Sequence, residues 1–315
     1  SNGTNADQSG SYGIEEFGEN STTLYGNFSP SNSNYLSGEY VGYFWKADDN
    51  EPTINTEGSI NSLVSANANA GFSIVKYTGT FSAATVGHGL SSAPEMVIVK
   101  NLNSTTNWWV WHTDLGGGDK YLKLNGTDAV ASVSSIWNST VPTSTVFSVA
   151  NDGGSNGSGN EIIAYCFHSV AGYSKIGSYA GTGAAGNNIT TGFEPSWILI
   201  KRSNSTAGWL MFDNKRNPTN PRNSRLEANN SQAEQAGSTS KFVDFDATSF
   251  EPQISDSEIN ASGGTYLYMA FKENPAQPAI PSGEMAYLVV AGGGGGGGSP
   301  SPSGNGGGGG GGGGF

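Results

Sequence analysis

Basic residues are scarce. The 315-residue chain has 14 Lys plus Arg against 26 Asp plus Glu, a formal net charge of -12. A chain so acidic lacks the positive footprint that phosphate backbones require, which sets aside nucleic acid and anionic membrane as partners. Long apolar runs are missing too: the strongest are strand-sized, short of the roughly 20 residues of a membrane helix, and no secretory signal opens the chain. The first residue is not Met, which reads as a fragment or processed form. A single cysteine, Cys166, excludes an internal disulfide framework, and its apolar setting from Ile162 to Phe167 reads as a core thiol rather than a nucleophile.

What the chain has is Gly (48 residues), Asn, Ser and Thr, arranged in repeats. The stretch GFEPSWILIKRSNSTAGWLMFD from Gly192 answers APEMVIVKNLNSTTNWWVWH from Ala93. At a shift of about 101 residues, Lys100 corresponds to Lys201, Asn103 to Asn204, Trp108 to Trp209 and Trp111 to Phe212. Each copy reads as a β-hairpin: a short β-branched first arm, a polar Asn/Ser/Thr turn, then an aromatic second arm. A further pattern occurs three times, ending in the strands Tyr40 to Trp45, Ile162 to Phe167 and Tyr266 to Phe271; each closes a repeat. Opening strands are expected from Phe72 to Gly79 and from Tyr173 to Gly181.

These marks divide the chain into residues 1–70, the end of a truncated β module plus a polar connector; 71–170 and 171–274, two complete modules; and 275–315, a Pro-rich connector and glycine-rich tail. Residues 1–26 show no sustained period and are assigned no element, and 48–70 reads as a polar connector. Short helical turns fit near Trp137, Leu226 and residues 231–237, but Gly, Asn and β-branched residues favour an all-β chain of tandem β-sandwich modules, jelly-roll or lectin-like. Glycine loses more backbone entropy on ordering than any other residue, so the tail needs a partner to order it. Polyproline-II-like Gly strands can pack and bond laterally, which makes Tyr287, Gly292, Gly298, Gly306 and Gly314 the expected assembly residues of a homo-oligomer.

The pieces GFSIVKYTGT, TVGHGLSSAPEMVIVKN, KYLKLNGTDA, PTSTVFSV, TGFEPSWILIKRS and NASGGTYLYMAFKENP, spanning about residues 36–275, resemble a tandem repeat domain of tail-fibre and related virion proteins of bacteriophages, especially those of marine bacteria. AYLVVAGGGGGGG resembles the glycine-rich segment of phage fibres and adhesins. The resemblance implies a virion-surface, extracellular setting, a trimer, contact with other virion proteins, and host recognition or fibre structure. It carries over no catalytic residues.

No cofactor or metal spacing emerges. His88, His112 and His168 correspond to Thr191, Asp213 and Lys272, so a duplicated metal or acid-base site is not supported. A polysaccharide hydrolase needs two carboxylates across a cleft. Asp114, Asp119, Asp213, Asp244 and Asp246 have no spacing that singles out a pair, so a non-enzymatic fibre or adhesin subunit leads, with a purely structural fibre or decoration protein and a polysaccharide-degrading tail enzyme as the alternatives. GGGDK from Gly116 lacks the Walker spacing. Host-surface glycan binding is the positive candidate, because sugar faces stack on aromatic rings while amides and carboxylates bond hydroxyls. The residues are Trp108, Trp109, Trp111 and Trp209 with Asn103, Asn204 and Asp213, and Trp197 is a further ring. Core or inter-module packing competes for every one of them: along a strand Trp109 and Trp111 cannot both share a face with Trp108.

Overall fold

In antiparallel sheets one face usually meets water and the strand alternates, but the first arms MVIVKN and WILIKR do not alternate. A run without alternation implies burial on both faces, and the computed structural model shows it: every residue of Met96–Asn101 is buried, and in Trp197–Arg202 all but the last. Residues 41–48 and 50–273 are described in full, and the strands Gly13–Phe17, Thr22–Tyr25 and Tyr287–Val289 as backbone only. The protein is all-β, its strands set in several antiparallel sheets.

The middle repeat has a large sheet whose order is Ala131–Ser132, Lys120–Lys123, second arm Trp109–His112, first arm Met96–Asn101, closing strand Glu161–Phe167 and opening strand Phe72–Thr78, extended by Ser62–Asn67 and Thr53–Asn55. The last repeat keeps that core order: Leu226–Glu227, second arm Trp209–Asp213, first arm Trp197–Arg202, closing strand Thr265–Phe271, opening strand Ser174–Ala180. Register is kept as well, since Val99 faces Trp109 and Ile200 faces Leu210. Each large sheet has a small companion: Ala84–Gly87 with Val146–Val149 in one repeat, and Ile189–Thr190, Ser249–Pro252 and Val243–Asp246 in the other. The stretch 48–70 was expected to be a polar connector. Its two strands instead widen the middle sheet, Ile54 facing Leu63 and Val64 facing Val75. A hairpin of Gly13–Phe17 and Thr22–Tyr25 likewise occupies part of the stretch read as element-free.

Three apolar clusters account for the two-sided burial. Val75, Val97, Trp111, Phe147, Ile162 and Cys166 fill the space between the middle repeat's large and small sheets. Tyr179, Ile198, Ile200, Phe212, Phe250 and Tyr268 do the same in the last repeat. In the third cluster Ile74, Ile98 and Phe167 of the middle repeat meet Leu199, Met211 and Phe271 of the last. The two large sheets therefore pack back to back along an apolar seam, where each fully buried side chain contributes about 1.5 to 3 kcal/mol. Trp45 joins this seam from the segment before the middle repeat, and the strand Phe44–Lys46 that carries it pairs with Tyr287–Val289. Of the three expected helical turns only Ser134–Trp137 forms; Leu226 lies in a strand.

Loop anchors repeat with the strands. Tyr77 donates its hydroxyl to the Ser155 carbonyl at 2.5 Å, and Tyr179 donates to Ile259 at 2.6 Å. The adjoining Asn156 and Asn260 are fully buried, Asn156 Nδ2 donating to Ala150 and Ser82 and Asn260 Nδ2 to Ala184. Gly79 and Gly181 end the two opening strands against these loops. A Cβ at Gly79 would lie 2.2 Å from the Gly157 carbonyl, and at Gly181 2.1 Å from that of Ala261, so no larger residue fits without backbone movement.

Candidate functional site

The Asn/Ser/Thr loops between the hairpin arms are held from below by a buried lysine. Lys100 Nζ donates to the carbonyls of Asn101, Ser104 and Thr106 at 2.9, 3.1 and 3.2 Å. Lys201 Nζ donates to Ala207 at 2.7 Å and, across the seam, to Thr127 at 3.0 Å. Burial disfavours the ammonium and pushes both lysines down to about 8. Converging carbonyls supply the partners a buried cation needs, so each lysine closes a turn whose backbone acceptors would otherwise go unmet.

Asn103 and Asn204 are exposed at the loop tips but turn inward for their bonds. Asn103 Oδ1 accepts from the amide of Glu161, and Asn204 Oδ1 from that of Thr265, the first residues of the two closing strands. The second arms begin on a matched pair that sequence reasoning missed: Asn125 Oδ1 accepts from the Trp108 amide at 2.9 Å and Asn229 Oδ1 from the Trp209 amide at 2.6 Å. Their recurrence at one place in each repeat was the available signal.

The expected sugar platform does not assemble. Trp209 is 2% exposed, lies in the seam and donates its indole N–H to the Lys123 carbonyl at 2.9 Å. Trp111 is buried in the middle repeat's own core and donates to Gly117 at 3.1 Å. Trp109, on the same side, is half-buried, edge-on to Tyr121 and bonded to Asp152 at 2.8 Å. Trp108 faces the seam side, half-buried and stacked on Tyr165 at 6.4 Å. Trp197 is buried against Trp45 at 5.0 Å. Asp213 is 2% exposed and accepts from Tyr43 at 2.7 Å and from Arg216 Nε at 2.6 Å, which makes it an internal anchor for the segment before the middle repeat. Burial raises the Tyr43 hydroxyl far above its ordinary range, so it remains a donor. Trp111, Trp209 and Asp213 are thus withdrawn from any glycan surface: a second sheet, invisible in the local strand pattern, covers the two rings, and Tyr43 and Arg216 engage the carboxylate.

His112, the counterpart of Asp213, is buried at the seam. Its Nδ1 accepts from the Asp114 amide at 3.1 Å, which leaves the proton on Nε2. Nε2 points toward the backbone of Tyr268 without a well-formed hydrogen bond, beside a void of about 10 Å³ lined by Leu199, Trp209, Leu267 and Met269. Burial outweighs the attraction of Asp114 and lowers its pKa to about 4. His88 is similarly lowered by burial, and both ring nitrogens are engaged, with Leu90 and Thr143. His168 Nδ1 bonds the Ser169 carbonyl.

Asp244 and Asp246 lie on one strand near Glu251; burial raises both carboxyls, helped by repulsion from Asp246 and Glu251 on Asp244 and from Glu251 and Glu194 on Asp246. Among the described residues no group of three or more His, Cys, Asp or Glu has a metal-holding arrangement, and no helix is long and apolar enough to cross a membrane. Tyr287 belongs to the described backbone strand, whereas Gly292, Gly298, Gly306 and Gly314 lie outside the described residues.

Neither curated proteins nor solved structures gave a match to this chain. A family described as Domain of unknown function (DUF7483) matches residues 1–275, ending just past the last closing strand, and the chain belongs to that family.

Proposed function

We propose that this chain is a non-enzymatic subunit of a virion surface fibre, built from tandem β-sandwich modules at residues 71–170 and 171–274 and used for fibre architecture and host adhesion. One observation carries the reading: the aromatic and charged groups most suited to chemistry are engaged in holding strands, loops and repeats together. Trp209 and Lys201 bond across the seam, Asp213 anchors Tyr43, and His112 is sealed inside. Glycan contact, in this reading, falls on the exposed loop tips bearing Asn103 and Asn204 and on the half-exposed Trp109. The glycine-rich tail that follows the strand Tyr287–Val289, itself paired within the chain, acts in assembly in this reading, joining chains as a trimer.

The purified chain incubated with host-surface glycans is expected to bind saturably and release no reducing ends. Release would overturn the non-enzymatic reading in favour of a polysaccharide-degrading enzyme, and no binding would reduce the role to architecture. Solution mass before and after deletion of residues 292–315 tests the tail: the parent is expected to be oligomeric and the deletion monomeric.

A further inference from the structure

The loop that follows the opening strand is held by the same bonds in both repeats. Thr80 donates its amide to Asn156 Oδ1 at 2.8 Å, and Thr182 donates to Asn260 Oδ1 at 3.0 Å. One residue on, the Phe81 amide donates to the Asn156 carbonyl at 2.7 Å and that of Gly183 to the Asn260 carbonyl at 2.9 Å. Both residues sit in the left-handed region, φ being 55° at Phe81 and 72° at Gly183. The last repeat uses the residue this conformation favours. The middle repeat instead carries a phenylalanine, whose Cβ crowds the following carbonyl there. Core packing does not offset that strain: Phe81 is 49% exposed and, among the described residues, joins none of the three apolar clusters. A bulky side chain kept strained and in solvent by a fixed loop points to a contact made at the surface.

The loop 152–161 that fixes Phe81 also holds Trp109 and Asn103. Asp152 accepts from the Trp109 indole at 2.8 Å, and the Glu161 amide donates to Asn103 Oδ1. Gly159 donates to the Gly79 carbonyl at 2.8 Å, which brings the loop of the exposed Ser158 next to that of the exposed Thr80 and Ser82. The charges at this end are matched, since Lys76 pairs with Glu161 at 2.7 Å and Asp152 also accepts from the amides of Gly154 and Ser155. An apolar ring among hydroxyls and amides suits a sugar, whose C–H face stacks on the ring while its hydroxyls bond the polar neighbours. The net charge of -12 disfavours an acidic one.

We propose that Phe81 is the aromatic platform of a binding site for neutral oligosaccharides at this end of the middle repeat, together with Trp109 and Asn103. The inference rests on the adhesion reading and widens its contact surface to a ring that the last repeat, with Gly183, does not carry.

The test is calorimetric titration of the full chain and its Phe81 variants with neutral hexose and N-acetylhexosamine oligosaccharides, and with uronic-acid oligosaccharides as the charged comparison. The parent is expected to bind the neutral set. Phe81→Gly and Phe81→Leu should each weaken that binding about tenfold, the size of one lost aromatic contact. Thermal melts give a second readout: Phe81→Gly, relieved of the strain, should melt no lower than the parent. A lower melt would show that the ring serves stability and would overturn the proposal. Undiminished binding by either ring-free variant, or preference for the acidic set, also overturns it while leaving adhesion intact. A parent that binds neither set removes the adhesion reading and this inference together.

Discussion

Acid should loosen the seam through His112. This side chain is 1% exposed and its pKa is lowered to about 4 against 6.5 for the free group, because burial disfavours the imidazolium. A base with a depressed folded pKa is protonated first in the unfolded chain. Its contribution to stability is complete above pH 6.5, falls as the pH drops, and is gone below about 4. A gap of that size corresponds to about 3 kcal/mol at 1.36 kcal/mol per pH unit. Carboxylates titrate over the same range, so the parent alone is uninformative. The assay is urea unfolding of the parent and of His112→Leu at several pH values from 7 to 4. Leucine removes the titration, and the lost bond to the Asp114 amide adds only a pH-independent offset. Between pH 7 and 4 the parent should lose about 3 kcal/mol more than the variant. Parallel stability curves for the two proteins would refute the assignment of His112 to a dry, charge-excluding seam.

Lys201 should act at the other end of the pH scale: its lowered pKa of about 8 means the folded chain sheds this proton first, so stability relative to Lys201→Met should rise between pH 8 and 10.5. A flat difference in denaturation midpoints over that range would remove the argument. Ile98→Ala opens the seam and Ile200→Ala the last repeat's own core; each should cost about 2 to 5 kcal/mol. Thermal melts equal to the parent's would show that the deleted atoms were not packed.

The hairpin register was legible because two signals agreed: β-branched first arms and polar turns, repeated at one offset. Lys100 and Lys201 were visible as a recurring pair, yet their role as carbonyl-binding posts under the loops required the fold. The strand Ser62–Asn67 was not legible, since SLVSAN mixes an exposed Leu63 with buried serines and has no bulky alternation. Thr53–Asn55 is too short and exposed to announce itself and owes its strand character to pairing with its neighbour. The tryptophans show the deeper limit. Their alternation along the second arm set which side each ring takes, but whether that side meets water or another sheet depends on the neighbouring repeat, about which the local pattern is silent.

Back-to-back packing of the large sheets gives the two repeats a shared fate. Neither large sheet has a wet face to fall back on, so scission between Phe167 and Ser174 followed by separation would strand Ile98, Val110, Leu199 and Met211 in solvent at once. Surfaces of that kind drive aggregation. Each repeat is thus bound to its partner: with the other sheet behind it, a polar residue on that face would be buried away from water, and neither repeat can be removed without exposing the other. Length changes are expected to be tolerated best in loops away from the seam, whereas a substitution within it has to be accommodated by the opposing sheet.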